Sequence, residues 1–495
     1  MENDNINKIF NSALTLHQNG NLNEAKILLK KILTSLPKHL PSIFLLGTLS
    51  AQIQEYQTAI ELLTKSIKIK PEFIEAHNNL GNVFQELGKN KEAVSCYQRA
   101  IKLNPEYVEA QYNLGKVFQE LGKNKEAMSV YQKAIQIDFK YIKAHNNLGL
   151  VYQELGKYQD AVSCYQRAIK LNPEYVEALN NIGRVQLAIR DFENGWIGHE
   201  FRNNGIKEVY ALLGIKDKKI WNGKKFDGTL VVHAEQGIGD EILYSSMFPD
   251  LVNYHDNLII TTDSRLIPIM QRSFPKVNFI NRYNNNLSNK NNSSTHILAG
   301  SLGRIFRNSL TDFKKDKQQW LVPSPKKCDN FKKSLSNLNK YKVGISWRSS
   351  GLKSSERSIS LTQFASIFPK HNFEIINLEY GDIHFEKNML EKKKKRKLIY
   401  FDDLDYKNDL EGLAALIKNC DLVVSVANAT AHLSGAIGMQ TLVMVPAEPQ
   451  WYWHSENKES IWYPNTQLFR KKIKEEWADV LNMIKEEILL KYKNN

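Results

Sequence analysis

The four cysteines stand singly, with no C-x-x-C pair, which excludes both a disulfide framework and a zinc-ribbon spacing. No apolar run approaches the roughly 20 residues that cross a bilayer, so no transmembrane segment is expected. The polar opening MENDNINKIF lacks the basic and apolar regions of a secretory leader. Together these absences predict a reduced, cytoplasmic protein. Basic and aromatic residues are not interleaved as in a single-strand groove. Much of the formal charge of +14 comes from one block, Glu391-Lys392-Lys393-Lys394-Lys395-Arg396-Lys397, which reads as a solvated loop or helix end. A nucleic-acid partner is therefore not expected. A glycine is also missing: VVHAEQGIGDEILYSS (Val231–Ser246) looks like a strand, a glycine turn and a helix, but the third glycine slot of the dinucleotide fingerprint holds Ile242. Asp240 stands where a phosphate would meet a negative charge.

What is present begins with a repeat. Aligning Pro71, Pro105 and Pro173 gives a period of 34 residues, with Phe139 in the same slot. The unit PEFIEAHNNLGNVFQELGKNKEAVSCYQRAIKLN is followed by PEYVEAQYNLGKVFQELGKNKEAMSVYQKAIQID, and looser units start near Asn3 and Pro37. The pattern resembles the tetratricopeptide (TPR) repeat. Each unit should form two amphipathic helices, the first ended by Gly88, Gly122 or Gly156. Gly81, Gly115 and Gly149 are expected against Ala93, Ala127 and Ala161, and Cys96 and Cys164 share one small, buried slot. Units stack because none buries its apolar face alone. Asn79, Asn113, Asn147 and Asn181 recur in one slot of the first helix, near Glu75 and Asn82. They fit either a groove that grips a protein or peptide, or bridges between neighbouring helices. The pattern fades at DFENGWIGHEFR, where Trp196 is expected to pack the last helix on the region C-terminal to it.

From about residue 226, strand-like runs alternate with helical stretches: LVVHA, NLIITT, VNFI and HILA, then KVGISW, EIINL, KLIYF, LVVSV and TLVMV. This alternation predicts parallel sheets with crossover helices. Residues 281 to 294 are polar, low-complexity and expected to form a mobile loop. With 495 residues the chain exceeds one core, and three regions are expected: a TPR array over 1–205, and two Rossmann-like halves over 206–330 and 331–495 with a cleft between them. Ligands of such sheets bind beyond the carboxyl ends of the strands.

Two segments carry a second resemblance. GIGDEILYSSMFP and SVANATAHLSGAIG look like the GT-B glycosyltransferases of family 9, the ADP-heptose heptosyltransferase type, over roughly 230 to 470. The ending from Trp462 to Arg470, WYP-x4-FR, is shared with the bacterial subgroup that carries a TPR array in front. Where that family reads Asp-Thr-Gly, this chain has Ala427-Asn428-Ala429, while Ser425 and His432 are retained. The layout is also similar to that of the O-GlcNAc transferases, whose repeats carry an asparagine ladder.

The resemblance implies an inverting, metal-independent transfer of a sugar from a nucleoside-diphosphate donor to an acceptor hydroxyl, with no cofactor. Asp240 matches the family's proposed base position, and a carboxylate there suits proton removal; the same residue type also caps helices. The leaving diphosphate needs positive partners. Candidates are Arg348, Arg357, Asn428, Thr430 and His432, at the start of a helix that offers free N–H groups. Asn428 and Thr430 equally suit ordinary capping, and Lys353 lies in the same basic loop as Arg348 and Arg357. Asp403-Leu404-Asp405 resembles a metal-binding D-x-D but fits a solvated turn, so no metal site is expected. The alternative to an enzyme is a TPR interaction scaffold whose transferase-like region has decayed, a reading to which Ala427 gives weight.

Overall fold

The computed structural model describes residues 2–202, 206–283, 294–313, 319–349, 354–447, 449–456, 458–472 and 475–492. Most of the polar run expected as a loop, residues 284–293, therefore lies outside the described residues. The chain forms two compact units, Met1–Ala178 and Leu179–Asn495, divided within the helix Val176–Ala188.

The first unit is a stack of helix pairs: Glu2–Gln18 with Leu22–Ser35, Leu40–Gln52 with Tyr56–Ile69, Ile74–Glu86 with Asn90–Leu103, Val108–Glu120 with Asn124–Ile137, and Ile142–Glu154 with Tyr158–Leu171. Small cores form between successive pairs. Ala93 and Tyr97 pack with Leu114 and Val117 of the next pair, and Ala127 and Tyr131 with Leu148 and Val151. Each pair thus covers its apolar face with its neighbour, as a repeat array requires. The turns at Gly88, Gly122 and Gly156 have φ of +68°, +68° and +71°, and Gln54 holds the same slot at +61° without being glycine. One contact differs from expectation. A Cβ on Gly81, Gly115 or Gly149 would meet the ring of Tyr97, Tyr131 or Tyr165 at 2.6, 2.5 and 2.6 Å. The glycines make room for these tyrosines rather than for the alanines. Cys96 and Cys164 are half-buried rather than buried, and burial pushes their thiols up, Cys96 to about 11 and Cys164 to about 12.

The second unit contains two parallel sheets. The first has β1 (Lys219–Ile220), β2 (Leu230–His233), β3 (Leu258–Thr262), β4 (Asn278–Asn281) and β5 (Thr295–Leu298), in the order β1-β5-β2-β3-β4. The second has β6 (Tyr341–Ser346), β7 (Phe373–Asn377), β8 (Leu398–Ile399), β9 (Leu422–Val426), β10 (Thr441–Val445) and β11 (Thr466–Arg470), in the order β11-β10-β9-β6-β7-β8. Counted from its own first strand, the second sheet runs 3-2-1-4-5-6, the order of a doubly wound sheet. In the first sheet, β2 to β5 run 3-2-1-4, with the two-residue β1 beside β5. The order therefore reverses between β2 and β5 in one sheet, and between β6 and β9 in the other. The edge strands β1 and β11 carry little apolar alternation and were not among the expected strands.

From Leu179 onward, the last helical residues belong to this second unit. Trp196, in the helix Phe192–His199, is buried; its Nε1–H donates to the Arg307 carbonyl at 2.7 Å and its ring meets Trp451 edge-on. A Cβ on Gly303 would lie 2.3 Å from the Trp196 ring. Trp196 thus packs the fading repeat onto the α/β region, as its position suggests, and one apolar core runs from it through both sheets. The basic block ends the helix His384–Lys394 at Lys395, but Arg396 turns inward and donates to the carbonyls of Ala365, Phe368 and Phe373.

Candidate functional site

The wholly buried strand β2 leads into the turn Ala234–Gly237 and the helix Ile238–Tyr244. The adjacent acids Asp240 and Glu241 point apart, because neighbours on a helix lie about 100° apart. Glu241 is buried and accepts from Thr262 Oγ1 at 2.6 Å, the Asp263 N–H at 2.9 Å and Arg282 Nη1 at 2.5 Å. Asp240 stays at the cavity wall, where Gly237 N–H donates to its Oδ2 at 3.2 Å and so caps the helix start. Burial pushes its carboxyl up to about 6, with the Gly237 hydrogen bond opposing and Glu235 and Glu241 adding to the rise. Asp240 is therefore both a helix cap and a half-buried carboxyl facing open space.

That space is a cavity of about 540 Å³ at the carboxyl ends of β2, β6 and β9. Its opposite wall is the start of the helix Ala429–Ala436, together with Arg357 and Tyr452. The two glycines of the turn meet different needs. Gly237 supplies the N–H for Asp240, and Gly239 lets the two helices touch: a Cβ there would stand 3.0 Å from His432 Cδ2.

His432 is buried, with Nδ1 2.6 Å from Tyr463 Oη and its ring stacked on Trp453 at 4.9 Å. Burial pulls its pKa down to about 3, so it faces the cavity as a neutral ring. The WYP-x4-FR ending therefore has a visible structural part: Tyr463 holds His432, and Arg470 donates to the carbonyls of Trp453 and His454. Asn428 caps the helix through the Ala431 N–H, and its Nδ2 donates to Ser346 Oγ at 2.7 Å and the Arg348 carbonyl at 2.9 Å. Its amide thus ties β6 to β9 across the reversal of strand order. Thr430 also lines the cavity, with Oγ1 3.5 Å from the Leu378 carbonyl.

Arg357 and Arg348 part company. Arg357, at the end of the short 3-10 turn Ser355–Arg357, lines the cavity. The Arg348 guanidinium turns away, donating to the Tyr380 and Asp382 carbonyls at 3.0 and 3.2 Å and lying 3.5 Å from Glu386. It borders a separate surface depression of about 520 Å³ with Ser358, Gln363 and Trp477. Lys353 lies outside the described residues. Arg265, Lys407 and Tyr452 also line the cavity and were not among the expected site residues. Arg265 and Lys407 stand in loops just after β3 and β8, the places where such sheets bind ligands. Arg265 donates to both Asp263 oxygens, at 2.8 and 2.9 Å, and to the Lys407 carbonyl at 3.3 Å.

Of the D-x-D, Asp405 is exposed and caps its own turn, accepting from the Lys407 and Asn408 N–H groups. Among the described residues, no group of three or more His, Cys, Asp or Glu side chains is placed to hold a metal, and no helix is long and apolar enough to cross a membrane.

In the repeat unit, Asn79 Nδ2 donates to Thr48 Oγ1 at 3.1 Å, Asn113 Nδ2 to Asn78 and Asn82 Oδ1 at 3.1 Å each, and Asn147 Nδ2 to Tyr112 and Tyr131 Oη at 3.2 and 3.3 Å. These three amides bridge one helix pair to the pair before it while remaining half-exposed. Asn181 holds the same slot, half-exposed, in the second unit. A second ladder runs beside the first. Tyr131 donates to Gln119 Oε1, Tyr97 Oη lies 2.7 Å from Asn82 Oδ1 and 3.2 Å from Gln85 Oε1, and the Gln85 and Gln119 amides donate to Glu120 and Glu154 of the following pair.

Comparison with known proteins bears on the repeats. Residues 49–88, 81–122 and 119–156 match the TPR repeat model, and 142–175 match the tetratricopeptide repeat model. Protein FlbA of Caulobacter vibrioides is 26% identical over 308 residues, 58% of this chain and 50% of that protein. The chain thus spans about half the length of this curated relative. Among solved structures, MamA is 28% identical with a TM-score of 0.31, over 33% of this chain and 95% of that one. YrrB, described as a TPR protein with an unusual peptide-binding site, is 24% identical with a TM-score of 0.30, over 34% of this chain and 88% of that one. The N-terminal region is a TPR superhelix, and a protein-interaction role for it is supported.

Proposed function

We propose that the α/β region, 206–330 and 331–495, is a GT-B-type glycosyltransferase whose repeats recruit a protein acceptor or partner. The observation that carries this reading is one cavity faced by Asp240 beyond β2 and by the helix start Ala429–Ala436 beyond β9. In the transfer, an acceptor oxygen bonds to the anomeric carbon, the bond from that carbon to the nucleoside diphosphate breaks, and the acceptor proton passes to Asp240. A carboxyl titrating near 6 suits a base at neutral pH. The N–H groups of the helix start and the Arg357 guanidinium take up charge on the departing diphosphate without a metal. His432, neutral, contributes at most one ring N–H, and Asn428 shapes the loop rather than binding, since its amide hydrogens are already engaged. Inversion follows from the family resemblance.

A second reading, a scaffold with a decayed site, draws on Ala427 in place of the family's aspartate. An assay separates the two. Incubating the full chain with nucleoside-diphosphate sugars should release nucleoside diphosphate, and Asp240→Asn should lower that rate at least about a hundredfold while leaving donor binding intact. Donor binding without turnover in the wild-type chain, across sugars and acceptors, would favour the scaffold.

A further inference from the structure

The turn that bears Asp240 is gripped from outside the two sheets. Arg202, three residues beyond the end of the helix Phe192–His199, is buried, as is Glu235. Arg202 Nε donates to Glu235 Oε2 at 2.8 Å and Nη2 to Oε1 at 2.6 Å, a bidentate pair. The remaining three N–H groups are also used: Nη1 reaches the His199 carbonyl at 2.8 Å and Glu200 Oε1 at 3.4 Å, and Nη2 the Ser301 hydroxyl at 3.0 Å. The Gly300 N–H completes the carboxylate, donating to Glu235 Oε1 at 2.8 Å. Next along the chain, Gln236 sits at φ +62°, a strained conformation for a residue with a side chain, and its carbonyl accepts from Arg282 Nη1 at 3.0 Å. Tyr244, at the far end of the catalytic helix, lies 3.3 Å from both His199 Nε2 and Gln236 Oε1.

The turn is therefore fixed upstream through Glu235, by an arginine that lies just past the fading sixth repeat, and downstream through Glu241. Gly237 to Asp240 lie between the two anchors. A bidentate guanidinium–carboxylate pair fixes direction as well as distance, which a single ammonium contact does not. We propose that Arg202 is a positioning residue for Asp240, so that the geometry of the site depends on a residue contributed by the end of the repeat region. This rests on the reading of Asp240 as the reacting carboxylate.

The test uses two substitutions in the full chain that keep every charge. Arg202→Lys removes the bidentate grip. Gly300→Ala places a Cβ 2.8 Å from Glu235 Oε1 and displaces the carboxylate should the lysine variant fail to fold. The readout is the titration of Asp240, followed by carbon-13 NMR of labelled aspartate carboxyls and assigned by its loss in Asp240→Asn. The titratable and charged groups around Asp240 are Glu235 and Glu241 beside it in the chain, Tyr244 on its own helix, and Arg265, Arg357, Tyr406, Lys407, His432, Tyr452 and Tyr463 on the elements that face it. None of them changes charge in either variant. A released turn admits water, so the Asp240 midpoint should fall by about one pH unit toward the ordinary carboxylate range. The rate constant kcat should fall about ten- to a hundredfold at unchanged donor KM. A midpoint unmoved in the folded variants, with only the melting temperature lowered, would overturn the proposal and leave the pair as a structural brace. A shifted midpoint in a protein that transfers no sugar would leave the grip standing and remove the transferase reading.

Discussion

Gly239 lies so close to His432 that a Cβ on it would stand 3.0 Å from His432 Cδ2. The ring has little room to yield, being held by Tyr463 at 2.6 Å and stacked on Trp453. Gly239→Ala should therefore overpack the contact between the two helices and cost about 1–3 kcal/mol. Urea unfolding of the α/β transition measures this; an unchanged midpoint would mean that the ring slides aside freely.

The repeats make a paired prediction. Gly115→Ala sets a methyl 2.5 Å from the Tyr131 ring, inside a packed pair, and should destabilise the array by about 1–3 kcal/mol. Gln54 holds a left-handed turn at φ +61° that glycine adopts freely. Gln54→Gly should therefore stabilise the array, by up to about 1 kcal/mol. Thermal melts followed by circular dichroism compare the two. Equal melting temperatures for both variants and the parent would refute the repeat geometry.

Asp240 predicts the pH dependence of turnover. Its carboxyl titrates near 6 in the folded protein against 3.8 for an ordinary aspartate. Only the deprotonated form accepts a proton, so turnover should rise as pH increases through about 6 and then level off. The sign for stability is opposite. Between about pH 4 and 6 the folded state holds a proton that the unfolded chain has lost, so this group weakens folding as pH rises through that window. A pH–rate profile of donor consumption checks the first statement; a flat profile from pH 5 to 8 would remove Asp240 as the base.

Buried histidines act the other way. Burial pulls His233, His432 and His454 down to about 3 and His296 to about 4 from an ordinary 6.5. His233 and His296 also face each other, Nε2 to Nδ1, at 2.9 Å. Above pH 6.5 both states hold these rings neutral. As pH falls through 6.5 toward 4, the unfolded chain takes up protons that the folded state refuses, so stability is lost. Urea midpoints of the α/β transition should drop between pH 7 and pH 5. No drop would mean that these rings are accessible to protons in the folded state.

The regularities of the chain were legible in its sequence, and the direction of its long side chains was not. A period of 34 and alternating apolar runs announce the repeats and parallel sheets, because burial imposes those spacings. Asp240 could be placed at the carboxyl end of a strand for the same reason. Arg348 could not be separated from Arg357. Both lie in one basic loop after β6, yet the carbonyls of Tyr380 and Asp382, distant in sequence, hold the first, while the second lines the cavity. Asn428 and the asparagines of the repeats meet the same limit: an amide can serve a ligand or a neighbour, and only the fold shows Ser346 or Thr48 within reach. Nothing in the sequence marks Arg265 or Lys407, because each is one cation in an ordinary loop, although both come after strands.

On the transferase proposal, the cavity beside Asp240 holds a nucleoside-diphosphate sugar. Thermal stabilisation of the full chain across nucleoside diphosphates and their sugars tests it most directly. A ligand at a hundredfold its dissociation constant adds about 2.7 kcal/mol, a clear shift in melting temperature. The account predicts that one nucleotide stands out, that its effect is lost in Arg357→Ala, and that it persists in Arg348→Ala. A folded protein indifferent to the whole panel, or one whose response ignores Arg357, would contradict it.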